Sequence, residues 1–243
     1  EGWHERAGGP HAEAAALAAA GDAARGSTAY VTLEPCDHHG RTPPCSLALV
    51  AAGVSRVVYT IDDPNPAVAG NGAARLRAQG IVVESGLMAA EAEALNPGYL
   101  KRRRTGRPFV RVKVAASLDG RTALASGESR WITSKVARND AQYFRARSSV
   151  VLTGIGTVLS DDPAMNVRIE ESRRQPLRAV LDSSLRTPPE SRIVSRQGDV
   201  LVLGVHDDAQ RREALQRHFH ALALQRLAPL CKGVEVALLP QRD

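Results

Sequence analysis

The stretch "TAYVTLEPCDHHGRTPPCSLALVAAGVSRVVYTI", Thr28 to Ile61, sets two β-branched runs on either side of a short run rich in alanine and leucine. Thr28 to Leu33 reads as a strand stopped by Pro35, and Pro44 to Ala52 as a helix with proline in its first turn. Arg56 to Ile61 reads as a second, buried strand. Outward from this unit, His11 to Ala24 is an alanine-rich helical stretch ending near Gly26. Gly72 to Gly80 is a glycine-bounded helical stretch, and Ile81 to Glu84 is a further strand. Helix and strand by turns define an α/β protein with a largely parallel sheet.

The loop of this unit carries two of the chain's three cysteines, Cys36 and Cys45, with His38, His39 and three prolines. Three cysteines are too few, and odd in number, for a disulfide framework, so the close pair points to metal binding or catalysis. A catalytic zinc site has three protein ligands and leaves the fourth position to water. His11, in the first turn of its helix, is a candidate third ligand, and Glu13, two residues on, can lean toward the same point without being a ligand. Cys36 ends a strand and Cys45 starts a helix, where free N–H groups favour the thiolate. Such a metal makes water nucleophilic, and a carboxylate beside it moves the proton to a departing amine, which is hydrolytic deamination. Two other readings stay open: a structural zinc closed by His38 or His39, and Glu13 as an ordinary charge in a first helical turn. Cys231 reads as a small buried residue.

Composition bounds the rest. At 243 residues, with 43% hydrophobic and 24% charged, the chain is a folded protein of one large or two ordinary domains. A net charge of +6 fits a phosphorylated small molecule as well as nucleic acid. Only 4% of residues are aromatic, which argues against stacking single-stranded bases. No run approaches the roughly 20 apolar residues of a membrane span, and the first residues lack a signal-peptide pattern, so the expectation is a cytoplasmic protein with no membrane partner.

At "YLKRRRTGRP" four consecutive basic residues, Lys101 to Arg104, precede Gly106 and Pro108, which reads as a linker or boundary on a solvated surface. This divides the chain into residues 1–105 and 106–243. Beyond it the expected elements are strand Phe109 to Ala115, helix Ser134 to Arg147, and strands Ser149 to Thr153, Arg178 to Leu181 and Val200 to Leu203. Helix Asp208 to Leu222 and strand Val234 to Leu239 complete the series. "VLTGIGTVLSDDP", Val151 to Pro163, runs from a strand into a G-x-G turn, a pattern that lets backbone approach a phosphate or simply makes a tight strand-to-helix turn. The polar segment holding Lys113, Asp119, Arg121, Arg130 and Trp131 is of the kind that binds ligands.

"PHAE" followed by "VTLEPCDHHGRTPPC" resembles the signature of zinc deaminases, with eight residues between the cysteines where the general pattern has two. That spacing is similar to one branch, the bifunctional riboflavin-biosynthesis deaminase-reductases. "KVAASLDGRTA" and "SGESRWIT" look like the reductase half of the same family, related in fold to dihydrofolate reductase. The resemblance implies a cytidine-deaminase-like α/β/α domain followed by a dihydrofolate-reductase-like α/β domain. It implies Zn2+ on His11, Cys36 and Cys45 with Glu13 as catalytic acid-base, and NADPH on Ala115, Trp131, Thr157, Asp161 and Ser183. Ser129, Arg145 and Arg168 would contact the phosphorylated substrate, with Lys113 as a cation near the reacting sugar. The implied reactions are hydrolytic deamination of 2,5-diamino-6-(5-phosphoribosylamino)pyrimidin-4-one and then NADPH-dependent reduction of its ribosyl chain to ribityl, in a homodimer without nucleic acid.

Against the family pattern both ends look short: a helix and a strand with part of the pyrimidine pocket upstream, and a glycine-rich nucleotide-binding turn with the last sheet strands downstream. Two alternatives follow, a nucleobase deaminase acting on RNA and a non-catalytic zinc-bound fragment.

Overall fold

β-Branched runs alternating with alanine- and leucine-rich ones build two small parallel sheets. The computed structural model describes residues 1–218 apart from 7, 67, 130, 171, 173, 206 and 207. The chain divides into two compact units, Glu1–Val112 and a second beginning at Lys113.

In the first unit, strands β1 (Thr28–Val31), β2 (Arg56–Tyr59) and β3 (Val82–Ser85) pair in parallel in the order β1-β2-β3. Parallel neighbours need a crossover. Helix α2 (Cys45–Ala52) supplies the first and α3 (Asn71–Ala78) the second, with α1 (Ala12–Ala20) packed on α2. Leu49 of α2, Leu76 of α3, Val57 of β2 and the flanking Val54 and Ile81 form the core, with Leu17 of α1 against it. Gly53 closes α2 at φ 70°, a left-handed conformation glycine adopts without strain. β1 and β2 each end two residues earlier than the sequence pattern predicts, ahead of Pro35 and Pro64, whereas β3 starts and ends one residue later than expected.

The basic run, expected as a linker or boundary on a solvated surface, is exposed and helical: Lys101 to Arg104 form the second half of α5 (Pro97–Thr105), preceded by α4 (Ala89–Leu95), a few residues before the second unit begins. Pro97 opens α5 at its first position, Gly106 closes it at φ 71°, and the arginines complement the negative end of its dipole. Leu100 anchors it at 3% exposure.

In the second unit, β4 (Val150–Gly154), β5 (Leu177–Leu181) and β6 (Val200–Leu203) pair in parallel in the order β4-β5-β6. Val180 and Val202, register partners, point to one face with Val158, Ile193, Val194 and Leu215. These come from α7 (Ile155–Asp161), α8 (Arg192–Ser195) and α9 (Ala209–His218); α6 (Lys135–Ala146) precedes β4. Ser134 caps α6 by accepting from the Ala137 N–H.

The expected strand Phe109 to Ala115 is corrected. Phe109 to Val114 are all exposed, Val110, Val112 and Val114 at 70%, 79% and 61%, and among the described residues the segment joins no ladder. A strand needs a neighbour for its backbone groups, and among the described residues no segment pairs with this one. The expected end of the last helix, Cys231 and strand Val234 to Leu239 lie outside the described residues. Among the described residues no helix is long and apolar enough to cross a membrane.

Candidate metal centre and second site

Three structural elements start or stop at one point. His11 is the cap residue in front of α1, Cys36 lies in the loop after β1, and Cys45 is the first residue of α2. His11 Nδ1 lies 3.5 Å from Cys36 Sγ and 3.3 Å from Cys45 Sγ, and the three potential ligand atoms all lie within 4.8 Å of one another. Both cysteines are free and buried. One imidazole and two thiols converging on one point match the three-ligand donor set of a catalytic zinc. The group includes neither His38 nor His39, so the closed structural site finds no fourth protein ligand among the described residues.

The thiols are electrostatically unequal. Cys36 is held well below the usual thiol range by a hydrogen bond from Cys45 and by the Cys45 backbone N–H, which donates to its sulfur at 3.4 Å. Cys45 is pushed up by that same sharing, by burial and by the neighbouring Glu13. Glu13 stands in the first turn of α1, where burial raises its carboxyl above the ordinary range, and it hydrogen-bonds Cys45. A buried carboxyl at the ligand cluster is placed to hold or release a proton there.

The cysteine loop is braced from both sides. Asp37 accepts from Ser46 of α2 and pairs with Arg75 of α3; burial opposes its ionisation, yet these contacts hold it below the usual carboxylate range. A cavity of about 310 Å³ opens beside His11, lined also by His4, His38, Gly40, Arg41 and Thr42. His38 and His39 are both exposed, and His38 lines the cavity. Glu34 was not singled out by sequence reasoning, although a carboxylate two residues before a ligand in a strand-ending loop is a signal that could have found it.

In the second unit the expected residues fall on separate elements. Thr157 lies in the first turn of α7, which begins directly at the end of β4, Asp161 is the last residue of that helix, and Ser183 lies two residues past the end of β5. The G-x-G of "TGIGT" is a strand-to-helix junction, with open space where a Cβ at Gly154 or Gly156 would stand. Arg145, at the end of α6, donates to the Asn166 carbonyl at 2.8 Å, and the Arg168 N–H donates to Gln142 of the same helix at 3.1 Å. Burial and the nearby Arg168 charge lower the Arg145 pKa. Lys113, Ala115, Ser129 and Trp131 fall instead in the irregular segment before α6; Trp131 is 72% exposed, with the Arg138 guanidinium 4.1 Å from its ring.

The first unit thus has the zinc-site architecture of a nucleoside-type deaminase, joined in one chain to a second α/β unit. Residues 1–61 match the cytidine and deoxycytidylate deaminase zinc-binding region, and residues 108–234 match the RibD C-terminal domain. The chain belongs to the RibD family. It is 55% identical over 222 residues to the riboflavin biosynthesis protein RibD of Escherichia coli, covering 86% of this chain and 60% of that protein. A solved structure of Acinetobacter baumannii RibD matches with a TM-score of 0.80 at 49% identity, covering 88% of this chain and 61% of the other. A Thermotoga maritima diaminohydroxyphosphoribosylaminopyrimidine deaminase/5-amino-6-(5-phosphoribosylamino)uracil reductase matches with a TM-score of 0.78 at 38% identity, covering 86% and 60%. The chain spans about 60% of the length of the E. coli relative.

Proposed function

We propose that this chain carries both steps of a cytoplasmic riboflavin-biosynthesis deaminase-reductase acting on 2,5-diamino-6-(5-phosphoribosylamino)pyrimidin-4-one. The observation that carries this reading is the convergence of His11, Cys36 and Cys45 beside the buried carboxyl of Glu13. His11, Cys36 and Cys45 hold Zn2+, which when bound supplies a Lewis acid that makes water nucleophilic near neutral pH. Glu13 takes a proton from the attacking water at its carboxylate oxygen and returns it to the amine that leaves as ammonia, so a carbonyl replaces the 2-amino group. Its raised affinity for a proton suits the second half of that exchange. The cavity beside His11 admits the pyrimidine, and Arg41 and the imidazoles of His4 and His38 offer donors to its ribose phosphate.

The second unit holds NADPH on Thr157, Asp161 and Ser183, with Ala115 and Trp131 completing the site. Ligands of open parallel sheets bind at the sheet's carboxyl edge, and the unfilled space over Gly154 and Gly156 lets a cofactor approach the backbone. NADPH when bound supplies the hydride for reduction of the ribosyl carbon to ribityl. Arg145, Arg168 and Ser129 hold the substrate's phosphate and sugar, and Lys113 places a cation near the reacting carbon. The substrate is a small molecule and not a nucleic acid, and the working form is a homodimer.

Mass spectrometry of products formed from the diaminopyrimidinone ribotide by the zinc-loaded chain, with and without NADPH, tests this. The reading expects replacement of amine by oxygen in both samples and addition of two hydrogens only with NADPH. Deamination alone removes the reductase half, and no reaction with zinc bound leaves the chain a non-catalytic zinc protein.

A further inference from the structure

Glu34 lies two residues before Cys36 and is 3% exposed. A carboxylate buried that deeply is stable only when hydrogen-bonded. It accepts from three backbone N–H groups outside its own segment: Gly70 at 3.0 Å, Ala73 at 3.2 Å and Asp63 at 3.4 Å. Its own N–H donates to the Ile61 carbonyl at 3.0 Å. Gly70 and Ala73 are the cap and third residue of α3, a helix whose cap offers no side-chain acceptor of its own. Glu34 therefore satisfies two of the free N–H groups of α3 from across the fold, and its charge meets the positive end of that helix.

The consequence is transmitted to Cys36 across two peptide bonds. The Pro35 carbonyl oxygen stands 1.8 Å from where a Cβ on Gly72 would be, so α3 sits directly on the loop that Glu34 draws onto it. On the opposite side, the Cys45 N–H reaches Cys36 Sγ and the Ser46 N–H donates to the Cys36 carbonyl at 3.1 Å. Cys36 is clasped between the starts of two helices, α2 acting on the residue itself and α3 acting through Glu34. The outer tie between α3 and the loop, Arg75 with Asp37, involves an arginine that is 44% exposed and is correspondingly weaker.

We propose that Glu34 is a positioning residue of the metal centre, whose carboxylate fixes the Cys36 sulfur relative to His11 and Cys45 by docking α3 onto the ligand loop. This rests on the reading that His11, Cys36 and Cys45 bind the metal. In Glu34→Gln an amide N–H2 faces at least one of the three N–H donors, so the cradle loses a partner and its charge together. In Glu34→Asp the charge stays and the reach is one methylene short. Partners that orient metal ligands change metal affinity by about 10- to 100-fold when removed.

The test uses the full chain loaded with cobalt(II) in place of zinc, read by its visible ligand-field bands and by competition with a chelator, beside circular dichroism and melting of the metal-free proteins. The expected result is a folded Glu34→Gln with shifted cobalt bands and an affinity lowered about 10- to 100-fold, and Glu34→Asp between it and wild type. If Glu34→Gln does not fold, Glu34→Asp decides by the same two readouts. Unaltered bands and affinities within about twofold of wild type, in variants that merely melt earlier, assign Glu34 to the fold alone and overturn the proposal. A wild-type chain that takes up no cobalt overturns the metal reading itself, and the role of Glu34 with it.

Discussion

Glu13 and Cys45, from the first turns of two different helices, share a hydrogen bond at the mouth of the ligand cluster. The carboxyl stands at the cluster, yet a metal held by His11 and two thiolates does not need it as a ligand. Glu13→Gln is accordingly expected to keep its zinc while deamination falls by about 10²- to 10⁴-fold, the range of a lost general acid-base. Metal content by atomic spectroscopy and ammonia release measured on one preparation check this. Loss of zinc together with activity would make Glu13 a ligand or a structural residue.

Metal uptake is expected to release about one proton per chain near pH 7, because the low-lying Cys36 is already a thiolate while the raised Cys45 still holds its proton. The sign follows: acidification restores protons to the ligands, so affinity falls as pH falls, and alkalinity relieves the competition at Cys45. Titration calorimetry in buffers of differing ionisation enthalpy counts the proton. No release at neutral pH would mean both sulfurs are ionised before the metal arrives.

Tyr99 on α5 donates to the buried Asp63 carboxylate at 2.7 Å, and burial with that neighbour pushes its phenol up to about 12. A folded-state pKa raised above the unfolded value near 10 stabilises the fold below pH ~10, and this support is lost as pH rises toward about 12. Tyr99→Phe should lower stability by about 1–2 kcal/mol at neutral pH and flatten the alkaline fall. Denaturant melts between pH 8 and 12, with tyrosinate absorbance, would show it. An identical alkaline limb in the variant would assign the loss to other groups.

Legibility in the sequence tracked how local the cause was. Strands β1, β2, β4, β5 and β6 and helices α2 and α6 follow from runs of apolar residues punctuated by proline and glycine, which act within a few residues of themselves. The meeting of His11 with Cys36 and Cys45 was readable because each sits at the terminus of a predictable element. Basic charge at Lys101 to Arg104 hid a helix, since α5 is set by Pro97, Leu100 and Gly106 and the charge merely decorates its last turn. Non-local pairing was invisible: Phe109 to Ala115 has strand composition but joins no ladder among the described residues. Buried charge was missed for the same reason, since Arg178 sits at 1% exposure in β5 with one nitrogen of its guanidinium, Nη2, donating to the carbonyls of Arg196, Gln197 and Gly198, residues distant in sequence.

Arg145 and Arg168 offer the clearest separation of substrate from cofactor in the second unit. Burial and the neighbouring guanidinium already depress the Arg145 pKa, so the pair carries a repulsion that an anion between them would relieve. Inorganic phosphate should therefore raise the melting temperature of wild type, and raise it less in Arg145→Ala or Arg168→Ala. In turnover each substitution should lower kcat/KM for the deaminated ribotide by about 10- to 100-fold, chiefly through KM, while the KM for NADPH stays put. Arg145→Lys should recover little, because a point charge lacks the two-pronged grip of guanidinium on phosphate. If the NADPH constant moves and the ribotide constant does not, the two arginines belong to the cofactor's phosphates and the substrate must be held elsewhere on the sheet edge.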